Sequence, residues 1–167
     1  MEAVVFDGKS LTLKYETNYP IPKIVNEDEV IVKVEYSGIC GTDLHIMKGE
    51  FPASKQRPLP LGHEFSGIIH EVGEKTVFKT GQKVVVDPNR SCSLCEYCRQ
   101  GVYQHCATNG VDSVIGIWKD GGWAQYVCVP QDQVFALPDG ISTEQGNVRE
   151  RNKQWRVGRK FFDTVVD

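Results

Sequence analysis

The stretch EVIVKVEYSGICGTDLH, residues 29–45, changes character halfway along. In its first half Val30, Val32 and Val34 fall on one face and Lys33 and Glu35 on the other, the alternation of a half-buried strand, with Ile31 alone out of step. Beyond it, GTDLHIMKG at 41–49 predicts one short helix. Cys40 stands between the two.

The strand signature recurs on both sides. AVVF and LTLKY precede it, and FSGIIHEVG, KVVVD, WAQYVCVP and QVFAL follow, separated by KTGQ, KDGG and PQDQ, whose Gly, Asp and Pro suit turns. This succession predicts a mostly β domain with short helices rather than a helical bundle or a βαβ array. At 167 residues, 40% hydrophobic and 25% charged, the chain has the make-up of one globular domain able to bury a core.

Charge and targeting signals narrow the partners. A net charge of −3 gives no general attraction to nucleic acid or anionic membrane, and no apolar run nears the roughly 20 residues that cross a bilayer. The N-terminus has no basic stretch followed by an apolar one, so a cytoplasmic location is expected. Composition shifts at residue 147: residues 1–146 carry 13 basic and 19 acidic side chains, residues 147–167 six and three. That last stretch has no clean period and is expected to be a divergent, poorly ordered basic tail.

Six cysteines in a reducing compartment read as metal ligands or redox groups rather than disulfides. Four lie in SCSLCEYCRQGVYQHC, residues 91–106, as Cys92-x2-Cys95-x2-Cys98-x7-Cys106. Thiolates so spaced converge on one ion about 2.3 Å away, and the fourth closes a tetrahedron with no open position. The pattern predicts structural zinc in preference to disulfides, an iron–sulfur cluster or unrelated buried thiols. A closed site adds folding free energy but cannot act on a substrate, so any reaction lies elsewhere.

Cys40, His63 and Glu64 offer a thiolate, an imidazole and a carboxylate that suit a zinc left partly open. Taken singly, a lone cysteine reads first as a small core residue and a lone histidine as a satisfied polar group. His70, inside a strand run, and His105, inside the cysteine cluster, are given no catalytic role. Cys128 reads as a buried thiol, and Trp118 and Trp123 as packing or substrate-cleft residues.

GICGTDLH, PLPLGHEFSGIIHEVG, the four-cysteine lobe and GGWAQYVCVPQDQVFALPDGIS together resemble the catalytic domain of zinc-dependent medium-chain alcohol and polyol dehydrogenases, sorbitol dehydrogenase and its relatives, over residues 1–146. The run from Gly62-His63-Glu64 to Gly67 fits that family's zinc signature and Gly73 continues it, while Thr76 stands where a small apolar residue is commoner. The resemblance implies a GroES-like β-barrel carrying a four-cysteine zinc lobe. It implies structural zinc on Cys92, Cys95, Cys98 and Cys106, and catalytic zinc at Cys40 and His63, with Glu64 a ligand or a carboxylate just behind. It further implies that Asp43 orients a ligand, that Thr42 takes the alcohol proton and that His45 passes it outward. Two zinc ions per chain are implied and, in full-length relatives, NAD(P), which receives hydride as an alcohol or polyol becomes a ketone or aldehyde.

No two glycines of the chain are separated by a single residue, so the G-x-G-x-x-G turn of a Rossmann domain is absent. The 21 residues after Gly146 also fall short of the about 30 in one βαβ unit. NAD(P) is therefore not expected to bind this chain. Glu150 lies near where polyol-type members place a further acidic ligand, but its neighbours, NVRERN, do not match. Three functions compete. The chain is a dehydrogenase catalytic domain, truncated or an isoform, with little activity alone; or a non-catalytic zinc-binding module that docks on full-length subunits in a homo- or hetero-oligomer; or a zinc-finger protein of nucleic acid. The acidic body and the missing basic stripe count against the third.

Overall fold

The structure, a computed structural model, describes residues 1–51, 57–110 and 113–151, the last four by backbone alone. In chain order run β1 (Ala3–Asp7), β2 (Thr12–Glu16), β3 (Glu29–Ser37), α1 (Gly41–Met47), β4 (Leu59–Pro60) and β5 (Phe65–Val72). β6 (Lys83–Val86), α2 (Glu96–Arg99), β7 (Tyr126–Pro130), β8 (Val134–Ala136) and α3 (Thr143–Arg151) follow. The fold is mostly β with three short helices among the described residues, as the alternating runs predict.

The strands form two sheets, β2-β1-β4 and β7-β3-β5-β6-β8, with antiparallel pairing throughout. A bridge from Ala3 to Ala124 and a hydrogen bond from the Val4 N–H to the Trp123 carbonyl at 2.8 Å join the smaller sheet to the segment entering β7. Val30 and Val32 of β3 meet Phe65, Ile69, Val84, Val86, Val127 and Val129 in the main core. Full burial of side chains this size contributes about 1.5–3 kcal/mol each, so the period-2 face of β3 fixes which side of the sheet is inside. A second cluster, Phe6, Ile46, Leu59, Leu61 and Ile117, anchors α1 through Ile46 against the smaller sheet.

Ile31, the residue out of step, is buried and sits at a break in pairing. Between Ile31 and Val32 the register with β5 shifts, and it shifts again between Val34 and Tyr36, whereas the register with β7 runs unbroken. Such bulges bend a strand and redirect its end. Gly67, opposite Val34, permits the second one: a Cβ there would run into the Lys33 carbonyl oxygen.

Helix α3 packs against β3, β5 and β6 through polar contacts rather than an apolar stripe. The Ser66 hydroxyl donates to the Thr143 carbonyl at 2.5 Å, and the Thr143 hydroxyl to Glu35 Oε2 at 2.7 Å. Ser142 and Gln145 cap its start reciprocally: the Gln145 N–H donates to Ser142 Oγ and the Ser142 N–H to Gln145 Oε1. The helix crosses residue 146 and carries residues 147–151, where the sequence shows no helical period. Residues 152–167, the rest of the basic tail, lie outside the described residues.

Candidate metal centres and the pocket between them

The four-cysteine lobe leaves the main sheet after β6. Cys95 caps the start of α2, and a short 3₁₀ turn over Tyr103–His105 delivers Cys106. The sulfurs of Cys92, Cys95, Cys98 and Cys106 lie within 4.8 Å of one another, with Cys92 and Cys98 at 3.8 Å. Ligands about 2.3 Å from a tetrahedral ion stand about 3.8 Å apart, so the lobe has the dimensions of a zinc cage. A disulfide needs about 2.05 Å, and all six cysteines are free thiols.

Backbone donors favour thiolates in the lobe. The Cys95 N–H meets Cys92 Sγ at 3.3 Å and, with the Thr108 hydroxyl and the Leu94 N–H, pulls the Cys92 thiol down to about 5. The Asn109 N–H, 3.3 Å from Cys106 Sγ, lowers Cys106. Cys98 is pulled down by the Ser91 hydroxyl, but desolvation and the Cys95 and Cys106 thiols outweigh it and raise the group. The donor set therefore fits a thiophilic dication in size, and its surroundings lower two of the four thiols, Cys92 and Cys106.

The second cluster forms where β3 runs into α1 and β4 into β5. Cys40 is the N-cap of α1, and its N–H donates to Asp43 Oδ2 at 2.7 Å, so the first helical turn is closed by a side chain reaching back. His63 and Glu64 follow Gly62, whose φ of +89° and contact with the Trp123 ring leave no room for a side chain. Ligand atoms of Cys40, His63 and Glu64 all lie within 4.8 Å of one another. His63 and Glu64 are only 9% and 6% exposed.

Asp43 stands behind this cluster, fully buried. Its Oδ1 faces His63 Nδ1 at 3.4 Å, and among the described residues neither atom has a hydrogen-bond partner. A carboxylate on one ring nitrogen fixes the tautomer and leaves Nε2 as the electron-pair donor toward a metal. Two buried ionisable groups in partial contact and a third ligand type beside them are what a bound cation would satisfy.

One cavity of about 330 Å³ opens in front of these ligands. Thr42 lines it beside Cys40, its Oγ1 3.7 Å from Cys40 Sγ. Part of the cavity wall comes from Asp87 and Asn89, just after β6, and from Tyr103 and Gln104 of the lobe. Sequence reasoning missed this wall, because none of its residues stands at a ligand spacing.

The remaining sequence candidates lie elsewhere. His45 is 63% exposed, does not line the cavity, and bonds through Nδ1 to Glu50, whose carboxyl it lowers. Glu150 falls in the last turn of α3, and its side chain lies outside the described residues. His70 is exposed with its ring 4.9 Å from Tyr126, and His105 is exposed with its ring 6.1 Å from Tyr97. Cys128 is half-buried and protonated at neutral pH, since burial, with Glu29 and Glu71 nearby, pushes it up to about 12. Trp118 and Trp123 pack against the Phe6 and Ile46 cluster rather than facing the cavity.

An antiparallel two-sheet body that carries a thiolate–imidazole–carboxylate cluster lining a pocket, together with a four-thiolate lobe, defines a GroES-like domain of the dehydrogenase type. The chain belongs to the alcohol dehydrogenase GroES-like domain family, whose model matches residues 26–139. It is 40% identical over 143 residues to the sorbitol dehydrogenase of Bacillus subtilis, covering 83% of this chain and 39% of that protein. It is also 40% identical over 135 residues to the L-threonine 3-dehydrogenase of Protochlamydia amoebophila, covering 78% and 38%. Among solved structures, galactitol-1-phosphate dehydrogenase from Escherichia coli superposes with a TM-score of 0.77 at 38% identity, over 88% of this chain and 41% of that one. The chain thus spans about two fifths of the length of these relatives. Among the described residues no helix is long and apolar enough to cross a membrane.

Proposed function

We propose that residues 1–146 form the zinc-binding catalytic domain of a cytoplasmic NAD(P)-dependent alcohol or polyol dehydrogenase, with residues 147–167 a divergent basic tail. One zinc is assigned to the four-cysteine lobe and one to Cys40, His63 and Glu64. The observation that carries this reading is the convergence of three different ligand types at the head of a 330 Å³ cavity with the Thr42 hydroxyl beside them. When bound there, zinc supplies Lewis acidity toward an alcohol and a nicotinamide supplies the hydride acceptor.

The chain's own residues have separable tasks. Asp43, sealed from water, holds the Cys40 turn through the backbone N–H and the His63 ring through Nδ1, so two ligands are set in advance. His63 and Glu64, nearly buried, keep water from the back of the site. Thr42 accepts the alcohol proton at Oγ1 and passes its own proton on toward the surface. His45, exposed beside Glu50 and outside the cavity lining, is assigned the outer end of that path.

On its own the chain is proposed to bind zinc and turn over little, because its sequence holds no glycine pair spaced for a pyrophosphate turn. The same absence favours a second reading, a zinc-binding module that docks on full-length subunits. Assayed with NAD or NADP and small alcohols, the purified chain should give no reduced cofactor by absorbance. Joined to the C-terminal remainder of the Bacillus subtilis sorbitol dehydrogenase, it should oxidise sorbitol. In that chimera His63→Ala should lower kcat/KM by about 10³-fold, the scale of a lost Lewis acid. A folded, zinc-loaded chimera without turnover would leave the docking module as the function.

A further inference from the structure

The four-cysteine lobe is closed to substrate, yet it contributes part of the pocket wall. Tyr103 lies in the 3₁₀ turn between Cys98 and Cys106, three residues before Cys106, and both it and Gln104 line the cavity. The Tyr103 hydroxyl donates to Asp87 Oδ2 at 2.6 Å. Asp87 is itself held in place from the body of the domain. Its Oδ1 accepts the Asn89 N–H at 2.9 Å, and its own N–H donates to the Gln133 carbonyl at 2.8 Å. The Gln133 carboxamide, 1% exposed, donates in turn to the carbonyls of Asp87 at 3.1 Å and Pro88 at 2.9 Å.

The 87–89 segment is thus clamped on the sheet side by a buried glutamine and on the lobe side by one tyrosine hydroxyl. The sheet-side clamp is independent of the lobe. The lobe-side bond comes from the 3₁₀ turn that lies between Cys98 and Cys106.

We propose that Tyr103 is a positioning residue: through Asp87 it fixes part of the wall of the cavity that Cys40, His63 and Glu64 also line, so that filling the lobe with metal shapes ligand binding at the other site. This rests on the reading of both clusters as metal sites. A hydrogen bond to a charged group contributes enough that its loss corresponds to about a tenfold change in an equilibrium. Coupling of this kind is reciprocal, so a ligand touching the wall also favours the filled lobe.

A pair of probes separates the wall from the metal. Imidazole and 4-phenylimidazole offer a metal the same nitrogen, but only the second extends a ring to the wall. In the chain loaded with two metals, cobalt at the Cys40 site, both are titrated by the cobalt visible spectrum in the natural protein and in Tyr103→Phe, which keeps the ring and removes the hydroxyl. Retention of lobe zinc and an unchanged melting temperature show that Tyr103→Phe is folded. The proposal expects 4-phenylimidazole to bind about tenfold more weakly to Tyr103→Phe and imidazole to change less than twofold. Equal affinities for natural and variant chains with two metals bound would overturn it, as would an equal loss for both probes. A natural chain that holds only one metal would instead overturn the proposed function, and this inference with it.

Discussion

At the residue scale, two thiols with opposite surroundings differ in ionisation. Cys92, surrounded by N–H and hydroxyl donors, is held at about 5, whereas Cys128, desolvated and beside Glu29, is pushed up to about 12. The thiolate is the reactive form, so at about pH 6.5 the first is ionised and the second is not. A short pulse of iodoacetamide on the metal-stripped chain should therefore label Cys92 early and leave Cys128 unlabelled, read by peptide mass spectrometry. Equal labelling of both would contradict the assignment. Zinc should suppress the Cys92 reaction without altering Cys128.

The two candidate clusters were legible in different ways, the four cysteines from their spacing and Cys40, His63 and Glu64 from the family resemblance. The same holds for Asp43, which the resemblance places behind a ligand and the structure puts at 3.4 Å from His63. Asp87, Tyr103 and Gln133 were not legible. Their contacts join positions 16 and 46 residues apart, and no local pattern records a meeting made by the fold.

At the scale of elements, burial period located the strands and backbone detail decided where they lead. EVIVKVEY reads as β3 because Val30 and Val32 repeat every second residue, and its one exception, Ile31, coincides with a bulge. The second bulge lets β3 deliver Cys40 to the start of α1, and it depends on the bare Cα of Gly67. Gly67→Ala should cost about 1–3 kcal/mol, the usual penalty for forcing volume into a packed strand pair. The urea midpoint would fall accordingly, and an unchanged midpoint would contradict the close approach of β3 and β5. Helix α3 escaped the periodicity reading because its packing rests on Ser66, Thr143 and Glu35 rather than on an apolar face. Its signal was the Ser142-x-x-Gln145 capping box, which marks a helix start irrespective of hydrophobic period.

At the scale of the whole molecule, the two ligand sets do different work on one frame. The sheets and the Phe6–Ile46 cluster carry Cys40, His63 and Glu64 to the cavity, and Tyr103 and Gln104 of the lobe line it as well. The lobe's position in space cannot be read from its cysteine spacing, since that spacing specifies a cage but not what the cage faces. Family membership fixes the domain type, and the relatives' names, sorbitol, threonine and galactitol-1-phosphate dehydrogenases, attach different substrates to it.

Two metal sites with independent ligand sets on one chain are what the proposed function requires. Zinc content of the purified chain, measured by inductively coupled plasma mass spectrometry beside that of His63→Ala, decides this. About two zinc per chain are expected in the natural sequence and about one in His63→Ala, with the lobe still filled and the fold retained. One zinc in both proteins, or none in either, would contradict it.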